Sequence, residues 1–311
     1  MKKIVLLTFV LLSFVGVLFL INSDTKIEDE KLRVSVSTFA LYDIVKHIAS
    51  DKVSVEMVIP FGVEVHSFEP TPKTIIGIQK SALFLYSGAN LEPWIKKLPK
   101  SKNMRDMSQF VELREVEDKD DDEDHHDHDV HEHHHGLYDP HYWLDIENMK
   151  LLTQKIVLEL VKLDPKNESF YLSNAVNYMD ELSLLSSQFE QKLKTCEVRE
   201  VVMHHNTLGY LASRYNFNVS SLSGLSPDAL SNPKVMTNLS KMIKEKGIKV
   251  LFFEAFVSNR MMQSLAEENG VSLAYIEPLA NITATQAKEN MSYVDGMHYN
   301  LEQLSTAMRC Q

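Results

Sequence analysis

A stretch of 28 residues without glycine or proline, residues 167–194, constrains the fold of this chain more than any other feature. Its apolar residues recur at helical spacing, which predicts one continuous amphipathic helix. At ~1.5 Å of rise per residue this helix would extend for ~42 Å, enough to run the length of a small two-lobed protein.

Strand-like and helix-like segments alternate on both sides of this stretch. Such alternation predicts parallel β/α units, so we expect an α/β fold with two lobes joined by the long helix. The predicted order is strand 32–37, helix 39–49, strand 53–59, helix 74–80 and strand 82–86, then helix 146–163 and the long helix, then strand 200–203, helix 209–215, strand 250–253, helix 261–269 and strand 271–276. The corresponding domains are residues 31–147, 148–195 and 196–311.

Residues 1–24 have the pattern of an export signal. Lys2 and Lys3 precede an uncharged apolar run, residues 4–21, which polar residues follow. The run is just long enough to span a bilayer, and no A-x-A site follows it, so cleavage and retention as an anchor both stay open. No cysteine lies near the run, which argues against a lipoprotein. In an exported chain the two cysteines, Cys196 and Cys310, predict a disulfide, with two free thiols as the alternative.

An acidic, histidine-rich window, residues 117–135, accounts for most of the formal charge of −11. It holds ten acids against one lysine, and a run of this composition cannot form a packed core. Imidazoles among carboxylates concentrate divalent metals, so we expect the window to bind metal in solution beside the main site. Its histidines are His125, His126, His128, His131, His133, His134 and His135. Residues 131–135 match the H-E-x-x-H pattern of zinc hydrolases, but composition alone produces that match, and no amphipathic helix surrounds it.

Three of the remaining histidines follow predicted strands or turns. His66, His141 and His205 come from distant segments, and ligands of α/β proteins gather where strands end. A transition metal needs three or four such ligands, so a carboxylate would complete the set. Glu277 and Glu254 each end a predicted strand and are the candidates.

The segments around these histidines resemble those of a known family. Residues 60–70, PFGVEVHSFEP, match the P-x-G-x-x-x-H-x-[YF]-E-P segment of the metal-binding receptors of cluster A-I ABC importers, and residues 139–145 (DPHYWLD) and 205–210 (HNTLGY) resemble their second and third ligand segments. The acidic histidine window is typical of the zinc members, the ZnuA-like proteins. The resemblance implies a metal in the cleft between two lobes, with His66, His141 and His205 as ligands. Glu277 stands where other members carry an aspartate, and is the tentative fourth ligand beside the alternative of water.

The predicted function is therefore a periplasmic receptor, not an enzyme, that delivers Zn²⁺ to an ABC permease. We expect a monomer without nucleic-acid contacts, with Mn²⁺ disfavoured because imidazoles suit zinc better. A manganese or iron receptor, a zinc hydrolase and an adhesin are the alternatives. Affinity should fall as pH drops through about 6.5, the ordinary pKa of histidine.

Several neighbouring residues receive supporting roles. Tyr142 and Trp143 should pack at the wall of the cleft, and Asn206 and Glu69 should accept a ligand imidazole's second N–H. His47 and His298 are interpreted as surface residues, with helix capping a second role for His47.

Overall fold

The computed structural model describes residues 31–116, 137–227 and 233–311. The expectations for residues 1–24 and for the histidine window therefore lie outside the described residues. Leu32–Gln311 form one compact unit by their own contacts, distinct from Met1–Lys31, so we expect this unit to fold without the leader.

The first lobe contains a parallel sheet of four strands in the order β2-β1-β3-β4. Its elements are β1 (Leu32–Val36), α1 (Phe39–Ala49), β2 (Val53–Met57), α2 (Pro72–Lys80), β3 (Leu83–Tyr86) and β4 (Met104–Asp106). A short antiparallel pair, β5 (Glu115–Val116) and β6 (Leu137–Tyr138), follows. The sequence analysis missed β4, which has three residues and no alternating pattern.

The second lobe repeats this architecture in the order β10-β9-β7-β8, again with parallel strands. Its elements are β7 (Glu200–His205), α5 (Gly209–Tyr215), β8 (Asn218–Ser223), α6 (Pro233–Lys246), β9 (Val250–Glu254), α7 (Arg260–Asn269), β10 (Ser272–Ile276), α8 (Ala284–Lys288) and α9 (Tyr293–Ala307). The predicted α/β fold with two lobes is confirmed, and β8, α6, α8 and α9 add elements that were not predicted.

Two long helices, α3 (Ile146–Leu163) and α4 (Glu168–Leu193), connect the lobes. The 26 residues of α4 give a length of about 39 Å, close to the predicted one. Its buried side chains recur every three or four positions and face α1, α3 and α9. These buried residues are Tyr171, Ala175, Tyr178, Leu182, Leu185, Phe189 and Leu193.

A disulfide joins Cys196 and Cys310, 114 positions apart, and so ties the end of the chain to the segment that follows α4. Within the described ranges, no helix has both the length and the apolar character needed to cross a membrane.

Candidate metal centre

His66 lies on the long connection between β2 and α2, and the second lobe holds that connection by its backbone. The side chain of Asn281 donates to the carbonyls of Pro60 and Val63, both at 2.8 Å, and the Gly62 amide donates to the Ile282 carbonyl at 2.9 Å. Gly62 has a φ of 89°, which favours glycine at this turn. The ring of His66 is therefore carried by a segment that both lobes position.

His141 is positioned by a carboxylate two residues earlier. Asp139 Oδ1 accepts the His141 amide at 3.0 Å and lies 2.8 Å from His141 Nδ1, which directs Nε2 into the cleft. Arg114 donates to the other oxygen of Asp139 at 3.1 Å, and the Tyr210 hydroxyl donates to the Asp139 carbonyl at 2.8 Å. His141 is buried, and its orientation is determined by this network.

His205 is the last residue of β7, and Glu254 ends the neighbouring strand β9. His205 Nδ1 lies 3.3 Å from Glu254 Oε2, but the two atoms are not aligned as a hydrogen bond. The Thr207 hydroxyl donates to the other oxygen of Glu254 at 3.2 Å. Both side chains are buried because each follows a strand in the middle of the second sheet.

The three imidazoles meet at one point of the cleft. Their potential ligand nitrogens all lie within 4.8 Å of one another, and the Nε2 atoms of His66 and His141 are 3.3 Å apart. In a tetrahedral zinc site with Zn–N bonds of about 2.0–2.1 Å, two ligand nitrogens are about 3.3–3.4 Å apart. Among the described residues, this is the one such grouping of histidine, cysteine and acidic side chains.

The surroundings keep two of these rings neutral. Burial, followed by the nearby ring of His141, lowers the pKa of His66 to about 3. Burial also lowers the pKa of His205 well below its ordinary value, and the neighbouring imidazoles act in the same direction. A metal binds the neutral imidazole, so both rings are in the ligand form at neutral pH.

The cavity that the three rings line is small. Its volume is about 20 Å³, and its walls also include Glu64, Glu254 and Phe256. A water-sized occupant needs roughly 10–15 Å³ by the same measure, so the space suits a single ion or water.

Glu277 lies outside the grouping of the three histidines. It is buried, and its carboxylate accepts hydrogen bonds from the Tyr275 hydroxyl at 2.9 Å and from the side-chain amide of Gln286. Burial raises the pKa of Glu277, and those two hydrogen bonds oppose the rise. Glu254 is the candidate carboxylate that borders the cavity with the histidines.

Some supporting roles differ from the predictions. The prediction for Glu69 is wrong, because Glu69 is exposed and pairs with Lys97 at 3.1 Å. The residue that holds a ligand ring is Asp139, which the second motif contains, and the motif was the signal that could have identified it. Asn206 has a side-chain oxygen without a hydrogen bond among the described residues, so the expected contact to an imidazole is not formed.

The aromatic residues beside His141 do pack as predicted. Tyr142 and Trp143 are buried, and the ring of Trp143 meets that of His141 edge to face at 5.5 Å. Their polar atoms also anchor the segment, since the Tyr142 hydroxyl donates to the Ser87 carbonyl and Trp143 Nε1 to the Pro278 carbonyl. His298 is exposed as expected.

His47 is not a plain surface residue. It is half-buried, its ring stacks on Tyr178 at 4.3 Å, and its Nδ1 lies 2.8 Å from the Asp43 carbonyl and 3.2 Å from the Asp43 carboxylate. His47 belongs to α1, and its stacking on Tyr178 places its ring where α1 packs against α4.

Comparisons with known proteins found similarity over most of the chain. A family model described as "ZnuA: Zinc-uptake complex component A periplasmic" matches residues 34–307. The high-affinity zinc uptake system protein ZnuA of Bacillus subtilis (strain 168) is 32% identical over 296 residues, which cover 92% of each protein.

Solved structures have the same fold. The laminin-binding protein Lmb of Streptococcus agalactiae, described as bifunctional with adhesin and metal-transporting activity, superimposes with a TM-score of 0.77 at 28% identity, over 89% of this chain and 99% of that one. The Zn(II)-bound ZnuA-like domain of Streptococcus pneumoniae AdcA superimposes with a TM-score of 0.73 at 26% identity, over the same shares of the two chains.

Proposed function

Because this chain belongs to the ZnuA family of zinc-uptake components, we propose that it is an exported receptor that captures Zn²⁺ and delivers it to an ABC permease. The observation that carries the proposal is the convergence of three imidazoles, from three distant segments, on one ion-sized cavity. We propose that the receptor is a monomer in the periplasm or at the cell surface.

In this proposal His66, His141 and His205 bind the ion and no chemical step follows. Two of the rings need no deprotonation at neutral pH, and Asp139 holds the third with Nε2 towards the ion. The free-energy cost of removing Zn²⁺ from water is offset by direct bonds to nitrogen donors. Nitrogen donors suit zinc better than manganese. The buried rings and apolar walls shield the bound ion from competing ligands.

The alternatives are not favoured. A manganese or iron receptor would be expected to use more oxygen ligands than the three nitrogens that meet here. A zinc hydrolase needs space for its substrate beside the metal, and the cavity has room for an ion. The adhesin activity described for the streptococcal relative belongs to that protein.

We propose Glu277 as the fourth ligand, reached when its carboxylate releases Gln286 and Tyr275. Glu277→Gln should then weaken zinc binding by about tenfold, measured by competition with a chelator of known affinity. Gln286→Ala is the matched control, because it frees the carboxylate and should not weaken binding. An unchanged affinity in Glu277→Gln would leave the fourth position to water.

We propose that the histidine window, residues 117–135, is an auxiliary metal-binding segment that raises the local zinc concentration near the cleft. The test of the main site is metal analysis of the purified chain from Asn22 onward, intact and with residues 117–135 deleted. The shortened chain should keep one tightly bound zinc, and the intact chain should bind additional zinc more weakly. A shortened chain without tightly bound zinc would contradict the assignment of the cleft.

Single alanine substitutions test the three ligands. His66→Ala, His141→Ala and His205→Ala should each weaken zinc binding by more than the roughly 10–100-fold that loss of an outer partner costs. His298→Ala is the matched control, because His298 is exposed on α9 away from the cavity. Indifference to any one of the three removes that residue from the ligand set.

A further inference from the structure

Lysine side chains gather at one edge of the first sheet, the edge at which its parallel strands begin. Leu32 pairs with Val53 and Val34 with Leu83, so the strands start close to the same level. Lysines lie in the last turns of α1 and α2, which return to this edge, directly before β2, and two and four residues before β4. The five residues, which we call the lysine edge, are Lys46, Lys52, Lys80, Lys100 and Lys102.

All five lysines are exposed, and few acids balance them. Within residues 31–116, 137–227 and 233–311, Lys80, Lys100 and Lys102 form no ion pair. Asp164 lies near Lys52, but its carboxylate already accepts hydrogen bonds from the hydroxyl of Tyr171 and the side-chain amide of Asn167, at 2.6 and 2.7 Å. The exposed Asp51 is the acid next to Lys52 in the chain. The lysine edge is therefore a surface of mainly positive charge.

Apolar side chains lie beside these charges. Lys52 Nζ is 5.6 Å from the ring centroid of Phe170, which is 37% exposed in the first turn of α4. Leu163, at the end of α3, is 38% exposed. Cations next to exposed aromatic and aliphatic groups suit the boundary between charged headgroups and acyl chains.

The metal cavity lies at the other end of the strands. Tyr142, next to His141, contacts Ser87, the residue directly after β3, whereas Lys80 lies before β3. The four residues of β3 separate these ends by about 13 Å. An anionic surface would attract the lysine edge and turn the cavity away from itself.

The described part of the second lobe also carries exposed lysines, but acids lie among them. Lys241, Lys244 and Lys246 on α6 are exposed, but Glu245 lies among them and pairs with Lys241 at 3.7 Å. Arg309 is likewise paired, with Glu197 at 2.6 Å. The first lobe, which follows the apolar run 4–21 in the chain, combines lysines with exposed apolar side chains near the start of its sheet.

We propose that the lysine edge, with Phe170 and Leu163, docks on anionic phospholipid headgroups and leaves the metal cavity facing away from the lipid. The proposal goes beyond zinc capture. It rests on the proposed function in one respect, which is that the protein is exported and works near a membrane. Lipid is favoured over an acidic protein because the apolar run leads into this lobe and the lysines are spread along an edge rather than around a pocket.

Sedimentation with lipid vesicles tests the proposal. The chain from Asn22 onward, which contains the whole compact unit but not the apolar run, should bind vesicles of phosphatidylcholine with phosphatidylglycerol and not vesicles of phosphatidylcholine alone. High salt should release it. The triple variant K52E/K80E/K102E should bind the anionic vesicles at least about tenfold more weakly, because each lysine near such a surface contributes on the order of 1 kcal/mol.

The matched control is K241E/K244E/K246E, which changes the net charge equally on the second lobe and should change vesicle binding by less than about twofold. An equal loss of vesicle binding in both triple variants would overturn the proposal. Vesicle binding that is unchanged in both triple variants would also overturn it. If the chain binds membranes that contain the permease but does not bind protein-free vesicles, the lysine edge binds a protein partner instead. Zinc titration of each variant reports folding separately, and vesicle binding by a chain that holds no zinc would contradict the proposed function alone.

Discussion

His66 and His205 in the cleft and His47 at the junction of α1 and α4 are all removed from water to a large extent, yet the pKa values of the first two and of His47 move in opposite directions. In the cleft, burial lowers the pKa of His66 to about 3 and that of His205 well below its ordinary value. Burial would also lower the pKa of His47, but the hydrogen bonds and charge of Asp43 outweigh it and raise the pKa to about 9.

The neighbours of each ring explain this difference. His66 and His205 face other imidazoles, so protonating one ring places a charge beside its neighbours without an aligned carboxylate to compensate. His47 faces a carboxylate and a carbonyl of Asp43. Burial among imidazoles thus preserves the neutral form that a metal ion requires, whereas burial against a carboxylate stabilises a structural cation.

The largest effect is expected where a ligand ring also has a carboxylate partner. Asp139→Asn should weaken zinc binding by roughly 10–100-fold, because the amide no longer holds Nδ1 of His141 as a charged acceptor does. Competition with a chelator measures the change. Glu69→Gln is the control, because Glu69 is exposed and pairs with Lys97, and it should leave affinity unchanged. Equal effects of the two substitutions would contradict the assigned role of Asp139.

An intermediate effect is expected at His47, and it should depend on pH. The folded pKa of about 9 exceeds the unfolded value of roughly 6.5, so the stabilisation is complete below about pH 6.5 and is lost as pH rises through 9. The shift corresponds to about 3 kcal/mol at most, which we reduce to about 1–2 kcal/mol because the side chain is one-third exposed.

Urea unfolding of His47→Gln measures this contribution. The free energy of unfolding should fall by that amount relative to the parent near pH 6, and the loss should nearly vanish near pH 10, apart from lost packing on Tyr178. His298→Gln, on an exposed position of α9, should change stability by less than about 0.5 kcal/mol at both pH values. A loss that is constant with pH would show that His47 acts by packing alone.

The smallest effect concerns the pH dependence of zinc binding. Three rings with pKa values near 6.5 would release close to three protons to bulk solvent on binding at about pH 5.5. Because the pKa values of His66 and His205 are lowered, we expect these two rings to release no proton on binding. The steep fall in affinity near pH 6.5 that the sequence alone suggests should therefore be absent. Calorimetry in buffers of different ionisation enthalpy counts the protons, and a value near three would contradict the comparison between the two regions.

The three histidines that meet in the cleft were recognisable as a candidate site because local signals mark them. His205 ends a strand of buried apolar residues, and Gly62 and Pro60 mark the turn before His66. The strand β8 was not predictable, because its own sequence does not have the pattern of a strand. β8, with the polar sequence NVSSLS, lacks an apolar alternation, and pairing with β7 is what makes it a strand.

The alternation of apolar segments, the uninterrupted helix and the three histidine motifs were enough to predict two α/β lobes and the three imidazoles that meet between them. This was possible because hydrophobic periodicity and residue chemistry act over short distances along the chain. The partners of each imidazole were decided by the tertiary structure. Asp139 rather than Glu69 holds the ring of His141. Asp43 raises the pKa of His47, whereas burial in the cleft lowers the pKa of His66. Charge interactions and burial depend on distances of a few ångströms between segments remote in sequence, and packing alone sets those distances.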